Sequence, residues 1–257
     1  MQDYNLMSMK SKGVKMLTTT KIPRIIGHRG AKGYAPENTI ISFRKAKELG
    51  AKWIEFDVKE TEDGILIIMH DDELDRTTNG SGKVISTKWE AIKKLDAGSW
   101  FKPEFKNERI PTLEDCFKIL QELSLGANIE IKPCPSRETR TAISIAKEIK
   151  NKWPNNLPSP IVSSFSMEAL IAAKKTEPNL IIGALFEKLP TGWKKIAKEI
   201  QAQTIHIDHE IITEELIKEI NAEGYPILAY TVNEKSRADY LFSLGISAVF
   251  TDYPWKE

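Results

Sequence analysis

The chain has 257 residues, of which 41% are apolar and 28% charged, with a formal net charge of +1. That length is long for one unit but ordinary for an α/β barrel, and the apolar share suffices for a large core. The balanced charge excludes a general attraction to nucleic acid or to an anionic membrane, so any positive field for an anionic ligand has to be local.

Two cysteines, Cys116 and Cys134, form neither a metal-binding spacing nor a disulfide framework, and they read as reduced thiols of a cytoplasmic protein. Residues 1–21 carry Lys10, Lys12, Lys15 and Lys21 and no uninterrupted apolar run of seven residues. They are expected to be a loose tail rather than a signal peptide or a membrane span, ahead of one domain over 22–257, with no stable membrane association. Oligomeric state is left open.

An apolar run at 24–28 predicts the first strand, followed by a helix over 39–49 with Asn38 as its cap and Gly50 at its stop. The run at 53–58 is the second strand, and 65–69 reads as its extension. Residues 71–111 hold Asn79-Gly80-Ser81-Gly82, scattered aromatics and two prolines without a long helical period, and so read as an insertion over one end of the fold. Thr112 caps a helix over 112–123 that Gly126 is expected to stop, and a strand follows at 127–131. Helices at 138–151, 167–175 (capped by Ser166) and 193–201 then alternate with strands at 160–164, 180–185 and 204–208. A helix over 213–222, between Thr213 and Gly224, leads to a strand at 226–231. The helix over 234–243, between Asn233 and Gly245, leads to the last strand at 247–251. No eighth helix is expected within this sequence, so the outer ring would be incomplete there or partly covered by the tail. Alternation of this kind argues for parallel strands joined by crossover helices. The eight core strands point to a closed (β/α)₈ TIM barrel with a small insertion after the second strand; an open doubly wound sheet is the alternative.

Side chains alternate along a strand, so Trp53, Glu55 and Asp57 share one face while Ile54, Phe56 and Val58 share the other. Likewise Asn128, Glu130 and Lys132 oppose Ala127, Ile129 and Ile131. The apolar faces should pack on helices, which turns the carboxylates into the barrel. His28-Arg29 close the first strand and His70-Asp71 close the 65–69 run, at strand ends where barrel enzymes carry their chemistry. Three converging carboxylates repel one another unless protonated or neutralised. A divalent cation bound through oxygen alone removes that repulsion, with magnesium or calcium favoured and manganese a third candidate. Ion pairs with Arg29 and Lys132 are the structural alternative. A lone histidine at a strand end is more often structural. Two of them beside Arg29 and a cation could instead supply the base and acid that phosphodiester cleavage needs, with Arg29 offsetting phosphoryl charge.

These residues sit in ordered blocks. His28-Arg29-Gly30 is followed by Ala35-Pro36-Glu37-Asn38-Thr39, then Glu55-Phe56-Asp57-Val58, Thr61-Glu62-Asp63-Gly64 and His70-Asp71-Asp72-Glu73-Leu74-Asp75-Arg76-Thr77-Thr78. Further on come Ile110-Pro111-Thr112-Leu113-Glu114, Ile129-Glu130-Ile131-Lys132, Ser163-Ser164-Phe165, Thr231-Val232-Asn233 and Thr251-Asp252-Tyr253-Pro254. In order and spacing, over about 24–254, the set resembles the glycerophosphodiester phosphodiesterase family of the cytosolic bacterial type. The resemblance implies a (β/α)₈ barrel and hydrolysis of small-molecule glycerophosphodiesters to sn-glycerol 3-phosphate and an alcohol. It also implies His28 as base and His70 as acid, Glu55, Asp57 and Glu130 on the metal, and Arg29 and Lys132 on the phosphate. Phe165 and Tyr230 would wall the pocket, although the family often has tryptophan where Tyr230 stands.

Two other functions stay open from the residues. A lysophospholipase D-like enzyme would need an apolar groove beside the phosphate, and a non-catalytic phosphate-ligand binder could dispense with the histidine pair. His206 and His209, near the sixth core strand, have no evident partner. Cys134 shows no sign of activation, and Trp89, Trp100, Phe101 and Phe105 are expected to form a small core for the insertion.

Overall fold

Pleat alternation sorts the strand side chains into two layers, and the sorting builds a barrel. In the computed structural model, which describes residues 21–256, the elements run in this order. First come β1 (Ile25–Gly27), α1 (Ile40–Glu48), β2 (Trp53–Glu60), β3 (Leu66–Ile68), α2 (Trp89–Ile92), α3 (Leu113–Leu123) and β4 (Gly126–Ile131). Then follow α4 (Glu138–Lys152), β5 (Ile161–Ser164), α5 (Met167–Thr176), β6 (Ile181–Phe186), α6 (Trp193–Glu199) and β7 (Thr204–Asp208). Last are α7 (Glu214–Ala222), β8 (Ile227–Tyr230), α8 (Lys235–Ser243) and β9 (Ala248–Thr251). All strands but β3 pair in parallel, and β1 lies between β2 and β9, with Ile26 opposite both Trp53 and Phe250. The sheet therefore closes into the eight-stranded (β/α)₈ TIM barrel.

The outward residues Ile54, Phe56, Val58, Ala127, Ile129 and Ile131 pack with the inner faces of the helices in one continuous core. Inside, Ile26, Trp53, Ile161, Ile181, Leu228, Ala248 and Phe250 form an apolar plug. Trp53 fits there because Gly126 stands beside it; a Cβ at Gly126 would lie 2.2 Å from Trp53 Nε1. Gly126 therefore opens β4 rather than stopping the preceding helix. The residue that ends α3 is Ser124, in the left-handed region at φ 51°.

Three other expectations are corrected. The 65–69 run is not an extension of β2 but a separate antiparallel strand, with Val58 opposite Ile68 and Glu60 opposite Leu66. Asp63-Gly64 makes the reversal, with Gly64 at φ 87°, as that pair favours in tight turns. The cap of α1 is Thr39, which accepts from Ser42 N; Asn38 is turned inward at φ 58°. At α8 the cap position is Glu234, and Asn233 uses its side chain elsewhere. Thr112, with a reciprocal bond to Asp115, Ser166 and Thr213 cap as expected.

Between β3 and α3 only short helical pieces occur. The core of that segment is aliphatic, built from Ile67, Met69, Leu74, Val84, Ile92, Ala97 and Ile110 together with Cys134, and Trp89 packs on it. Trp100, Phe101 and Phe105 do not join it as expected; they stack edge-on at 5.7 and 5.6 Å, with Trp100 36% exposed. Asp96 holds the loop instead, accepting from Gly98 N, Ser99 N, Ser99 Oγ and Asn107 N at 2.7–2.9 Å. Trp255, after β9, packs against the outer core. The tail expected over 1–21 lies, except for Lys21, outside the described residues. Among the described residues no helix is long and apolar enough to cross a membrane.

Candidate active site

Glu55 and Asp57 project from the inner face of β2, and Glu130 stands opposite Asp57 in the β2–β4 register. One oxygen from each lies within 4.8 Å of the others, and all three residues are buried. Burial, then the charges of Asp57 and Glu130, pushes the Glu55 carboxyl well above the ordinary range. Burial, then Asp57, pushes Glu130 up to about 7. Asp57 goes the other way. Burial would raise it, but Arg29, His70, Lys132 and the Asn38 hydrogen bond (2.8 Å) outweigh that and hold it low. Glu55 Oε1 is buried with no hydrogen-bond partner among the described residues. An all-oxygen cluster with a free buried carboxylate oxygen and two carboxyls strained by mutual repulsion fits a hard divalent cation.

Two cations border the cluster. Lys132 Nζ lies 2.9 Å from Glu130 Oε1 and 5.3 Å from the Phe165 ring centroid. Arg29, in the left-handed region at φ 48°, turns its backbone N–H to Glu55 Oε2 at 2.8 Å, while its Nε lies 3.3 Å from Asp57 Oδ2.

Each histidine is backed by a carboxylate. His28, immediately after β1, has Nδ1 2.6 Å from Asp252 Oδ1, and its Nε2 faces the cluster, 3.9 Å from Glu55 Oε2. Asp252 is itself fixed by Asn233, whose Nδ2 donates to Oδ2 at 3.0 Å and whose Oδ1 accepts from Asp252 N at 2.9 Å. His70 Nδ1 lies 2.7 Å from Asp71 Oδ1, and Arg76 grips Asp71 through Nε at 2.5 Å and Nη2 at 2.9 Å. Both imidazoles sit below the usual histidine range, first because burial disfavours their charged forms; the carboxylate partners oppose that only in part.

Sequence reasoning passed over several of these groups. Glu37, 5% exposed, receives Arg29 Nη1 at 2.6 Å and two Arg76 nitrogens at 2.8 and 2.9 Å. It thus links the two sides of the site in a chain His70–Asp71–Arg76–Glu37–Arg29. Glu37, Asn38, Asp71, Arg76, Asn233 and Asp252 all lie in the ordered blocks, so their signal was charge or amide repeated inside motifs.

The residues converge on one cavity of about 280 Å³, lined by His28, Arg29, Glu55, His70, Glu130, Lys132, Phe165 and Tyr230 among others. Phe165 stands at its lip, 44% exposed, edge-on to Tyr230 at 6.1 Å. Tyr230 O–H donates to Phe186 O at 2.8 Å, so its hydroxyl is already committed. A neighbouring depression shares His70, Glu130, Lys132 and Phe165 and adds the charged Lys59, Asp71, Asp72 and Glu138. His206 lines the cavity, whereas His209 is in the turn after β7 and does not line it. Cys134 is part of the loop core, its thiol pushed up by burial.

The sequence profile of the glycerophosphoryl diester phosphodiesterase family matches residues 28–256. The chain belongs to that family. A glycerophosphodiester phosphodiesterase of Caldanaerobacter subterraneus subsp. tengcongensis is 38% identical over 231 residues, covering 90% of this chain and 94% of the relative. One of Bacillus subtilis is 36% identical over 249 residues, 89% and 83% of the two chains. The solved structure of an Oleispira antarctica phosphodiesterase in complex with the product sn-glycerol-3-phosphate superposes with a TM-score of 0.88 at 39% identity, covering 90% and 94%. As a member of the family this chain is a phosphoric diester hydrolase.

Proposed function

We propose that this phosphodiesterase hydrolyses glycerophosphodiesters, such as glycerophosphocholine and glycerophosphoethanolamine, to sn-glycerol 3-phosphate and the free alcohol. The observation that carries the reading is one cavity lined by two carboxylate-backed imidazoles and by Glu55 and Glu130 of the buried three-carboxylate cluster. Glu55, Asp57 and Glu130 would hold a divalent cation, magnesium or calcium with manganese a third candidate, which when bound supplies positive charge to the phosphoryl group.

The rest of the work falls to the chain itself. Arg29 and Lys132 contact the phosphoryl oxygens and offset the charge that builds as the new P–O bond forms. His28 takes at Nε2, which faces the cluster, the proton of the attacking O–H, that of water or of the adjacent glycerol hydroxyl whose cyclic phosphate water then opens, while Asp252 holds Nδ1 and steadies the imidazolium that results. His70 delivers a proton to the alcohol oxygen as the other P–O bond breaks. Asp71 orients it, and an anionic diester alongside favours its charged form. Phe165 and Tyr230 flank the carbon skeleton.

The charged lining of the neighbouring depression, with Lys59, Asp72 and Glu138, opposes an acyl-chain groove and hence the lysophospholipid alternative. The two histidine–carboxylate pairs oppose the binder alternative. Two buried thiols without a partner cysteine accord with a cytoplasmic location. The test is to supply glycerophosphocholine with magnesium or calcium and measure sn-glycerol 3-phosphate. Turnover should stop with excess chelator and fall steeply in His28→Ala and His70→Ala. Undiminished turnover with chelator would remove the metal, and undiminished turnover in either variant would remove the acid–base pair.

A further inference from the structure

Below the carboxylate cluster the barrel interior turns apolar, with Leu185, Leu228 and Phe250, yet two fully buried polar side chains stand among them. His206, 0% exposed on β7, and Asn128, 1% exposed on β4, both line the cavity. We propose that His206 and Asn128 form a hydroxyl-binding floor that receives the terminal hydroxyl of the glycerol moiety and so selects for glycerol diesters. This rests on the function proposed above.

The tautomer follows from the hydrogen bonds. His206 Nε2 lies 2.9 Å from Thr204 Oγ1. The Thr204 hydroxyl is itself fully buried and needs an acceptor, so it donates to Nε2 and leaves the imidazole proton on Nδ1. Burial holds this imidazole neutral, its pKa pushed down to about 3. Nδ1 is therefore an N–H donor, and among the described residues no group accepts from it. On Asn128, Nδ2 donates to Ser163 Oγ at 2.9 Å while Oδ1 has no donor among the described residues. His206 and Asn128, which hold one unmet donor and one unmet acceptor between them, thus line the same cavity. An alcohol can satisfy both roles, because a hydroxyl accepts as well as donates; a carboxylate or an ammonium can serve only one. Leaving both unmet beneath an apolar ligand would be unfavourable.

The floor is built, not incidental. Gly183 on β6 faces the imidazole, and a Cβ there would lie 2.6 Å from both Cε1 and Nε2. Depth also agrees. Asn128 stands two residues below Glu130 on the same face of β4, roughly 6–7 Å along the strand. The chain from a phosphorus atom through three carbons to a terminal hydroxyl spans about 6 Å at ordinary bond lengths. The glycerol end then points down, and the leaving alcohol points out past His70 into the wider charged depression.

The experiment compares kcat/KM for glycerophosphocholine with that for the choline diester of 1,2-propanediol 1-phosphate, which lacks only the terminal hydroxyl. Wild-type protein should prefer the glycerol diester by roughly tenfold or more. In His206→Phe and in Asn128→Leu that preference should fall toward unity, with His206→Gln, which keeps an N–H donor, retaining part of it. A merely structural role would lower both substrates together and leave the ratio intact, and that outcome would overturn the proposal. Equal use of the two diesters by wild-type protein would also overturn it, while leaving the proposed function standing; this comparison needs no variant to fold. Cleavage of bis(p-nitrophenyl) phosphate with neither choline diester used would sink the substrate reading, and the floor with it.

Discussion

Replacing Asp252 by asparagine tests the proposed base with the smallest change of shape. Asp252 now serves two donors at once: Oδ1 meets His28 Nδ1 at 2.6 Å and Oδ2 accepts from Asn233 Nδ2 at 3.0 Å. An amide has a single oxygen and cannot serve both. If its oxygen stays with Asn233, its NH₂ faces His28 and forces the proton onto Nε2, the atom meant to take one. If its oxygen turns to His28, the charge-assisted bond becomes neutral and Asn233 loses its acceptor. Losing the charged bond alone is worth about 1.5–3 kcal/mol, which is roughly 10- to 150-fold. The wrong tautomer adds to that, reaching about 10⁴-fold in the serine protease precedent. We expect kcat/KM for glycerophosphocholine to fall by roughly a hundredfold or more in Asp252→Asn, with the fold unchanged by circular dichroism.

The pH profile gives an independent sign. Burial lowers the pKa of His28, and the Asp252 hydrogen bond raises it partway back. Removing that contribution lowers it further, so the acid limb of kcat/KM, where the base becomes protonated, should move to lower pH. A loss smaller than about fivefold, or an acid limb that moves up, would refute the assignment of His28 and Asp252 as a working pair.

Glu37→Gln leaves Arg29 and Arg76 facing each other without the shared carboxylate. The expected loss, by urea unfolding, is about 2–4 kcal/mol, below the full range for a broken buried pair because Arg76 is partly exposed. Asp96 is held below the ordinary carboxylate range because backbone and Ser99 hydrogen bonds outweigh the opposing effect of burial. Its contribution should be complete above about pH 4 and vanish as pH falls through the lower folded value. The stability gap between wild type and Asp96→Asn should therefore shrink on acidification, and a gap that widens would contradict this. Gly126→Val drives a side chain into the Trp53 indole and should cost at least about 1–3 kcal/mol, read as a lower urea midpoint.

The barrel was legible because its strands announce themselves twice, as short apolar runs and by alternation with helical patterns. Period two along 53–58 and 127–132 was enough to aim Glu55, Asp57 and Glu130 inward, where they are found. The misread elements share one cause, a residue whose local and distant uses look alike. Asparagine suits a helix cap, yet Asn38 donates to Asp57 and Asn233 clasps Asp252. Asp63-Gly64 was noticed as part of a motif, and the reversal it makes turned an expected extension into the antiparallel β3. The pairing of His28 with Asp252 spans 224 positions and leaves no local trace. Nor could composition separate the aliphatic loop core from the aromatic trio stacked outside it.

His28 directly follows the first strand of the ring and Asp252 directly follows the last, and those two strands are edge neighbours. Their pairing is the seam at which the cylinder shuts. A folding intermediate with that seam open could carry most of its secondary structure and still have a base with no orienting partner. Recovery of turnover after denaturation should therefore lag the recovery of helical signal and coincide with docking of the final strand.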